Sequence, residues 1–310
     1  MRVTLLHNPT AGRGKHDKKQ LLKALAKRGH ETRYASTKKK NWEKKLKKKT
    51  DLVLAAGGDG ASAKIASKLI DTGVPFAILP FGTANNLARS LGFFAPPQRI
   101  IRGLTRGTKE AFDVGVARGP WGKRYFFEGA GAGLLADYVR AADQEKEKNK
   151  KRTSKRRSKA QELACHVARL RRWLQDYPAE KWNLELDGKD ISGRYILWEA
   201  MNIRSVGPAL YLAPWAATKD GELDFVGVRE EDRDILLKHF DARLAGQKTE
   251  FPLPMTRFRQ LKVIRERSTI HFDDEIWPQK KEKTKKRTKL TIKVKSSALI
   301  VLQPKIVTDS

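Results

Sequence analysis

The stretch that decides the fold is Leu52-Val53-Leu54-Ala55-Ala56-Gly57-Gly58-Asp59-Gly60, and a second of the same kind is Ala77-Ile78-Leu79-Pro80-Phe81-Gly82-Thr83-Ala84-Asn85-Asn86. Each begins as an apolar run of the length of a buried parallel strand and then breaks into glycine, which frees the backbone. The residues after each break have helical spacing, over Ser62–Ile70 and Asn85–Leu91. A strand that ends in glycines against a helix N-terminus leaves backbone N–H groups unpaired, and such groups bind phosphate. We therefore predict the nucleotide site of a phosphotransferase, in which Asp59 holds a metal ion or accepts a proton.

Strands and helices alternate around these two stretches. We predict strands at Val3–His7 and Thr32–Ser36, and helices at Lys18–Arg28 and Asn41–Lys49. This alternation with short links is typical of a parallel α/β sheet, in which ligands bind beyond the carboxyl ends of the strands. The loop that begins at Asn8 follows the first strand, so we expect it to lie at the same edge as the loops at Gly57 and Pro80.

The second half of the chain is predicted to be mainly antiparallel β-structure, as in a sandwich or barrel. Its predicted strands are Ala111–Ala117, Arg124–Glu128, Trp182–Leu186, Arg194–Asn202, Leu210–Ala213, Leu223–Val228, Arg259–Arg265, Thr269–Phe272, Lys289–Lys295 and Ala298–Leu302. Its predicted helices are Leu134–Ala142, which Gly129–Gly133 would open, a helix with an apolar stripe from Ala160 to Leu174, and Arg233–Leu244. Cys165 and His166, beside that stripe, are interpreted as packing residues. The charge run Glu145–Lys159 is interpreted as solvated.

The composition points to an anionic partner. The 310 residues include 65 Lys and Arg against 35 Asp and Glu, a formal net charge of +30. Nucleic acid, an acidic membrane surface and phosphate-bearing substrates all fit such a charge. The single Cys165 excludes an internal disulfide framework, which suits a reducing compartment. With no signal-peptide profile and no long apolar stretch, we expect a cytoplasmic protein that meets the membrane peripherally, at its inner face.

The sequence resembles the diacylglycerol kinase catalytic-domain family, the soluble bacterial lipid kinases related to sphingosine and ceramide kinases. The resemblance is carried by Gly57-Gly58-Asp59-Gly60, Pro80-Phe81-Gly82-Thr83-Ala84-Asn85-Asn86-Leu87-Ala88, Asn8-Pro9-Thr10-Ala11-Gly12, Asp220-Gly221-Glu222-Leu223-Asp224 and Asp273-Asp274-Glu275. In order and spacing these motifs span nearly the whole chain. Gly-Gly-Asp-Gly alone also occurs in NAD kinases and 6-phosphofructokinases, but the other motifs argue against those enzymes.

The resemblance implies an N-terminal parallel α/β nucleotide domain and a C-terminal antiparallel β-sandwich domain. The first would cover 1–110, rejoined by 299–310. The second would be the lipid-substrate domain at 111–298, with a basic helical insertion at 143–175. The implied activity is transfer of the γ-phosphoryl of ATP to a hydroxyl of diacylglycerol or a sphingoid-type lipid, as in phospholipid biosynthesis. The implied nucleotide contacts are Asn8, Pro9, Thr10, Gly12, Ser36, Gly57, Gly58, Asp59, Gly60 and Thr83.

The resemblance also assigns the chemistry. Glu275 would be the general base, and Asp59 would reach Mg²⁺ through water or act as a base itself. A structural Mg²⁺ would be held by the Asp220 carboxylate and the carbonyls of Ala217 and Glu222. Without the resemblance, Glu275 is an exposed turn carboxylate and Asp220-Gly221 a plain turn, and both interpretations stay open.

Two departures from the family pattern bear on activity. Ala61 and Ala63 stand where relatives usually have Thr and often Asn, so a phosphate would lose a hydroxyl hydrogen bond worth roughly 1.5–3 kcal/mol. Asp274 replaces a glycine and puts three carboxylates in a row, whose repulsion is expected to raise one pKa.

Other functions stay open beside the kinase. The departures leave a catalytically weak, nucleotide-binding regulatory relative as the alternative. The basic runs Lys146–Lys159 and Lys280–Lys289 would hold anionic lipid headgroups or serve as solvated linkers. Neither run is interleaved with aromatic residues, so no specific nucleic-acid partner is expected.

Overall fold

The computed structural model describes residues 1–14, 16–148, 158–266, 269–278 and 287–306. The chain forms two compact units, Met1–Asp113 with Ser296–Ser310, and Val114–Lys295. The strands are β1 (Arg2–His7), β2 (Glu31–Ser36), β3 (Leu52–Gly57), β4 (Pro75–Pro80), β5 (Thr108–Gly119), β6 (Gly122–Phe126), β7 (Gly129–Gly133), β8 (Glu180–Leu186), β9 (Lys189–Asp190), β10 (Gly193–Met201), β11 (Leu223–Arg229), β12 (Met255–Phe258), β13 (Gln260–Glu266), β14 (Ile270–Phe272), β15 (Glu275–Trp277) and β16 (Arg287–Gln303). The helices are α1 (Lys18–Ala26), α2 (Asp59–Ala66), α3 (Asn86–Ser90), α4 (Pro97–Gly103), α5 (Leu134–Lys148), α6 (Lys159–Asp176) and α7 (Arg233–Leu244).

The first unit contains the predicted parallel α/β sheet. Its strands lie in the order β4-β3-β1-β2 with parallel pairing throughout, and the last part of β16 runs parallel to β4. Every residue of β3 is buried, which explains its unbroken apolar sequence. The strands therefore end at one edge of the sheet, where the loops after β1, β3 and β4 begin.

Two helices of this unit differ from their predictions. α2 was predicted at Ser62–Ile70, but it starts at Asp59 because Gly58 is extended and acts as the N-cap. It ends at Ala66, after which the amides of Lys68 and Leu69 close tighter turns onto the carbonyls three residues before them. The segment Asn41–Lys49 contains a 3₁₀ helix at Trp42–Lys47 instead of an α-helix, with Trp42 buried. Its many lysines repel one another, which disfavours a longer helix.

The second unit is an antiparallel sheet domain, as predicted. β10 pairs with β11, β7 and β8, while β14 joins β7 to β15 and β13 joins β8 to the first part of β16. The rings of Trp182 and Trp198 pack edge to face within its core, with centroids 5.5 Å apart. A second core cluster includes residues of α5, α6 and α7. Within the described residues, no helix is long and apolar enough to span a membrane.

Several predictions for this unit were wrong. Gly129–Gly133, predicted only to open a helix, is the buried strand β7, and α5 begins directly after it at Leu134. Leu210–Ala213 forms no strand but a loop, with a single bridge between Val206 and Leu210; Leu210, Leu212 and Ala213 are buried in it and Tyr211 is exposed. Cys165 is exposed rather than packed.

The predicted strands at Lys289–Lys295 and Ala298–Leu302 are one strand, β16, which continues through a left-handed residue at Ser297. α5 extends past Ala142 to Lys148. The basic runs Lys146–Lys159 and Lys280–Lys289 lie mostly outside the described residues, at 149–157 and 279–286.

Candidate active site

The three loops at the carboxyl edge of the first unit touch one another through glycines. A Cβ on Gly82 would lie 2.6 Å from the Gly58 Cα, and one on Gly12 would lie 2.2 Å from the Phe81 carbonyl oxygen. Both distances are far below van der Waals contact, so only glycine permits this approach. A Cβ on Gly57 would also meet Ala61 at 2.9 Å. The structure thus brings the loops after β1, β3 and β4 together, as their order along the sheet predicts.

Asp59 links two of these loops as the first residue of α2. Its Oδ1 accepts a hydrogen bond of 3.0 Å from the backbone N–H of Leu87, in the first turn of α3. No side chain caps the start of α2, because its N-cap is Gly58. The positive end of the α2 dipole therefore lies at these loops, where it favours an anion.

The loop after β1 is held by its own polar groups. Asn8 Oδ1 accepts hydrogen bonds from the backbone N–H (3.2 Å) and hydroxyl (2.9 Å) of Thr10. Pro9 and Thr10 are exposed, while Ser36 at the end of β2 is buried and its Oγ accepts from the Lys38 amide at 3.3 Å. Thr83, in the loop after β4, is partly exposed. These predicted nucleotide contacts thus all lie in the first unit, at or next to strand ends.

A chain of hydrogen bonds that the sequence did not reveal supports this loop. His7 is buried at the end of β1, and its ring nitrogens face the Tyr34 hydroxyl at 3.2 Å and His16 Nδ1 at 2.7 Å. His16 Nε2 lies 2.8 Å from the Ala11 carbonyl oxygen, and its ring stacks on Phe81 at 4.0 Å. Because a carbonyl only accepts, His16 donates from Nε2 to the Ala11 carbonyl.

The buried His7 at the centre of this chain is neutral at pH 7. Burial is the main cause that lowers the pKa of His7 to about 4; His16 lowers it further and Asp17 opposes the change. The two histidines are nine residues apart in the sequence, on either side of the glycine loop. Their only sequence signal is their position beside the glycine loop.

Glu275 lies in the second unit, as the first residue of β15. Its side chain is 68% exposed and forms an ion pair of 3.2 Å with Arg124 of β6. Asp273, in the turn before β15, accepts hydrogen bonds from the backbone N–H groups of Phe127, Glu128 and Gly129 at 2.7–3.2 Å. Glu275 is therefore an accessible carboxylate on a turn that is firmly held.

The raised pKa expected in this row of carboxylates belongs to Asp273. Burial is the largest cause of the shift, and Asp274 adds a smaller one in the same direction. The hydrogen bonds from the backbone amides lower the pKa, and the balance is a pKa of about 7. Repulsion among the carboxylates is thus secondary to burial.

The segment predicted to hold a structural Mg²⁺ forms an acidic turn. Asp220 Oδ1 accepts from the Glu222 amide at 3.1 Å, and Glu222 is paired with Arg257 and Arg259 at 3.6 and 3.5 Å. Asp224 is buried, and its Oδ1 has no hydrogen-bond partner among the residues that the structure describes. Burial together with Asp220 raises its pKa to about 6.

These groups fit a hard cation only in part. Within the described ranges, no three His, Cys, Asp or Glu side chains are grouped so that they could hold a metal ion. A cation would therefore depend on the Asp220 carboxylate, backbone carbonyls such as those of Ala217 and Glu222, and water, which is a ligand set that Mg²⁺ accepts. The unpaired oxygen of Asp224 is a further acceptor that the sequence motif did not single out.

Known proteins match both halves of the chain. The family described as diacylglycerol kinase catalytic domain matches residues 2–117, and the YegS C-terminal NAD kinase beta sandwich-like domain matches residues 145–282. The Diacylglycerol kinase of Bacillus subtilis (strain 168) is 26% identical over 88% of this chain and 89% of its own length. The Diacylglycerol kinase of Mycobacterium tuberculosis (strain ATCC 25618 / H37Rv) is 25% identical over 80% of each chain.

A solved structure of a diacylglycerol kinase from Bacillus anthracis str. Sterne has the same fold. It superposes with a TM-score of 0.68 at 17% identity and covers 99% of this chain and 98% of its own. The two family matches follow one another along most of the sequence, with the glycine loops in the first and the acidic motifs in the second. The chain is therefore similar to diacylglycerol kinases over most of its length, with the catalytic domain of that family at residues 2–117 and a YegS C-terminal NAD kinase beta sandwich-like domain at residues 145–282.

Proposed function

We propose that this protein is an ATP- and Mg²⁺-dependent kinase that phosphorylates a hydroxyl of diacylglycerol or of a related sphingoid-type lipid. The observation that carries this proposal is the meeting of the three glycine loops at the uncapped start of α2. Backbone N–H groups at such a position suit the phosphates of a nucleotide. The names of the relatives support diacylglycerol as the acceptor.

In the proposed reaction the residues have separate tasks. The amides of Gly57–Gly60 hold phosphate oxygens, with Asn8, Pro9, Thr10, Gly12, Ser36 and Thr83 as further nucleotide contacts. Mg²⁺, when bound, neutralises charge on the phosphates. Asp59 orients the loops through Leu87 and takes part in holding that cation through water. Asp220, with the carbonyls of Ala217 and Glu222, would hold a second, structural cation.

Glu275 is the proposed general base. It accepts the proton of the lipid hydroxyl while that oxygen forms a bond to the γ-phosphorus, and the bond from this phosphorus to the bridging oxygen breaks, releasing ADP. Its exposure leaves it free to meet a substrate, and the ion pair with Arg124 orients its carboxylate.

We further propose that the lipid is met at an anionic membrane surface, peripherally from the cytoplasmic side. Trp215 is 72% exposed and Tyr211 38% exposed, in a loop whose neighbouring apolar residues are buried. Residues 203–219 contain Arg204 and Lys219 but no acidic residue. Aromatic rings and cations together suit the interface of an anionic bilayer.

The alternative is a catalytically weak, nucleotide-binding relative, because the methyl group of Ala61 faces Gly57 where a hydroxyl would reach phosphate. Radiolabelled ATP and vesicles that contain diacylglycerol, a monoacylglycerol or sphingosine separate the two. Label in a lipid supports the kinase. Tight ATP binding with no transfer to any of the three lipids, in the presence of Mg²⁺, supports the alternative.

A further inference from the structure

A buried histidine and a buried glutamate meet across a glycine in the middle of the second unit. Glu199 of β10 and His271 of β14 both pair with Gly131 of β7, from opposite sides. His271 Nε2 lies 2.9 and 3.0 Å from the two carboxylate oxygens of Glu199. A Cβ on Gly131 would lie 2.4 Å from the Glu199 Cδ, so the contact exists because that residue has no side chain.

Neither member of the pair reaches solvent. Both side chains are 0% exposed. Burial alone lowers the pKa of His271, but Glu199 and the Asp273 carbonyl raise it more, so the pKa of His271 lies above its usual value. A buried ion pair of this kind often contributes no more stability than well-packed apolar side chains would. Its presence therefore calls for a role other than stability.

The hydrogen bond of the second ring nitrogen of His271 indicates what that role is. His271 Nδ1 donates to the backbone carbonyl of Asp273 at 3.0 Å, while Glu199 holds the other side of the ring. Asp273 has a left-handed backbone, with a φ of 53°, and its carboxylate is held by the amides of residues 127–129. The turn is thus fixed at both its carbonyl and its side chain.

This turn sets the position of the proposed general base. It joins β14 to β15, where Phe272 pairs with Glu275. A rotation of the Asp273 peptide would move the Glu275 backbone, and with it the carboxylate and its contact with Arg124. A displacement of about 1 Å of a reacting group can reduce a rate by about 100-fold.

We infer that His271 and Glu199 are positioning residues, which hold the Asp273 turn and thereby aim the carboxylate of Glu275 at the acceptor hydroxyl. This inference rests on the proposed function, because it gives Glu275 the role of base. The pair touches no substrate and exchanges no proton with one. A pair that served only to join strands would not need the third hydrogen bond to the turn.

Two substitutions of His271 distinguish the hydrogen bond made by Nδ1 from the one made by Nε2. His271→Asn places an amide N–H where Nδ1 was and keeps the bond to the Asp273 carbonyl. His271→Gln reaches Glu199 instead and loses that bond. We expect His271→Gln to lower kcat at least about tenfold with the KM for ATP unchanged. His271→Asn should stay within about threefold of the wild type.

Amide hydrogen exchange at residues 273–275 provides a readout that does not depend on activity. It should accelerate at least about tenfold in His271→Gln and change little in His271→Asn. The double variant Glu199→Met with His271→Leu guards against misfolding, since an apolar pair is expected to keep the fold. In this double variant kcat should also fall, and the amides of residues 273–275 should also exchange faster than in the wild type.

The inference would be overturned if His271→Asn and His271→Gln had equal kcat values, or if kcat fell only in proportion to the fall in their unfolding midpoints. Either result would leave the proposed kinase function standing. A wild-type enzyme that phosphorylates no lipid would instead overturn the proposed function, and the role of the pair with it.

Discussion

Acidification is expected to weaken the first unit through His7. The pKa of His7 is 6.5 in an unfolded chain and about 4 in the fold, chiefly because of burial. Between these values the unfolded state binds the proton and the folded state does not, so the free energy of unfolding falls as the pH falls. The contribution is about 2 kcal/mol between pH 7 and pH 5, and about 3 kcal/mol once the pH is below 4.

Other groups change stability in the opposite sense, so the measurement must isolate His7. Asp273 and Asp224 have folded pKa values raised to about 7 and about 6, and their contributions to stability grow as the pH falls. Urea unfolding from pH 7 to pH 4 should therefore be compared between the wild type and His7→Gln, which keeps a polar group but does not titrate. The difference between the two curves is the contribution of His7.

The NMR titration of His7 gives an independent value. We expect its imidazole to titrate near pH 4 and to be neutral at pH 7. Titration near 6.5, or parallel stability curves for the wild type and His7→Gln, would refute the hydrogen-bond chain from Tyr34 to Ala11 as the support of the loop.

Three further predictions concern the loops and the proposed membrane contact. Gly82→Ala should cost about 1–3 kcal/mol of stability and weaken nucleotide binding measured by calorimetry, since its Cβ would meet Gly58; the control Gly29→Ala, whose Cβ meets nothing within 4 Å, should leave nucleotide binding unchanged. Asp59→Asn keeps an oxygen that accepts from the Leu87 amide, so its unfolding midpoint should be unchanged. The rate of phosphoryl transfer should fall at least about 100-fold. An unchanged rate would show that the Asp59 carboxylate takes no part in the reaction. Trp215→Ala should reduce sedimentation with anionic vesicles at least about threefold, whereas Phe94→Ala, which removes a 76% exposed aromatic ring from the first unit, should not; equal effects would contradict a specific contact.

The parts of the fold that depend on local pattern could be predicted from the sequence. The glycine ends of β3 and β4 and the bounds of α7 follow from apolar runs, breaks and helical spacing. Strand β7 could not be predicted in this way, because alternating Gly and Ala has little strand propensity. It becomes a strand since its neighbours fill the space above each glycine, as Glu199 does above Gly131. The strand predicted at Leu210–Ala213 was wrong for the opposite reason. An apolar run can be buried in a loop without forming a paired strand, and here only a single bridge, between Val206 and Leu210, is present.

The polar contacts that support the candidate site also could not be predicted from the sequence. His271 and Glu199 are 72 residues apart and meet only because β7 lies between their strands. The contact of His7 with Tyr34 likewise depends on the pairing of β1 with β2. The motifs supplied the residues proposed for phosphate binding and proton transfer, and the structure adds polar groups that contact the same loops and turns.

The central claim is that Glu275 accepts the proton of a lipid hydroxyl during transfer from ATP. The most direct measurement is the rate of label transfer from γ-labelled ATP to diacylglycerol in anionic vesicles, for the wild type and Glu275→Gln. We predict that the wild type labels the lipid and that Glu275→Gln does so at least about 100-fold more slowly, with unchanged ATP binding and unfolding midpoint. Equal rates for the two proteins, or no labelled lipid from the wild type, would contradict the account.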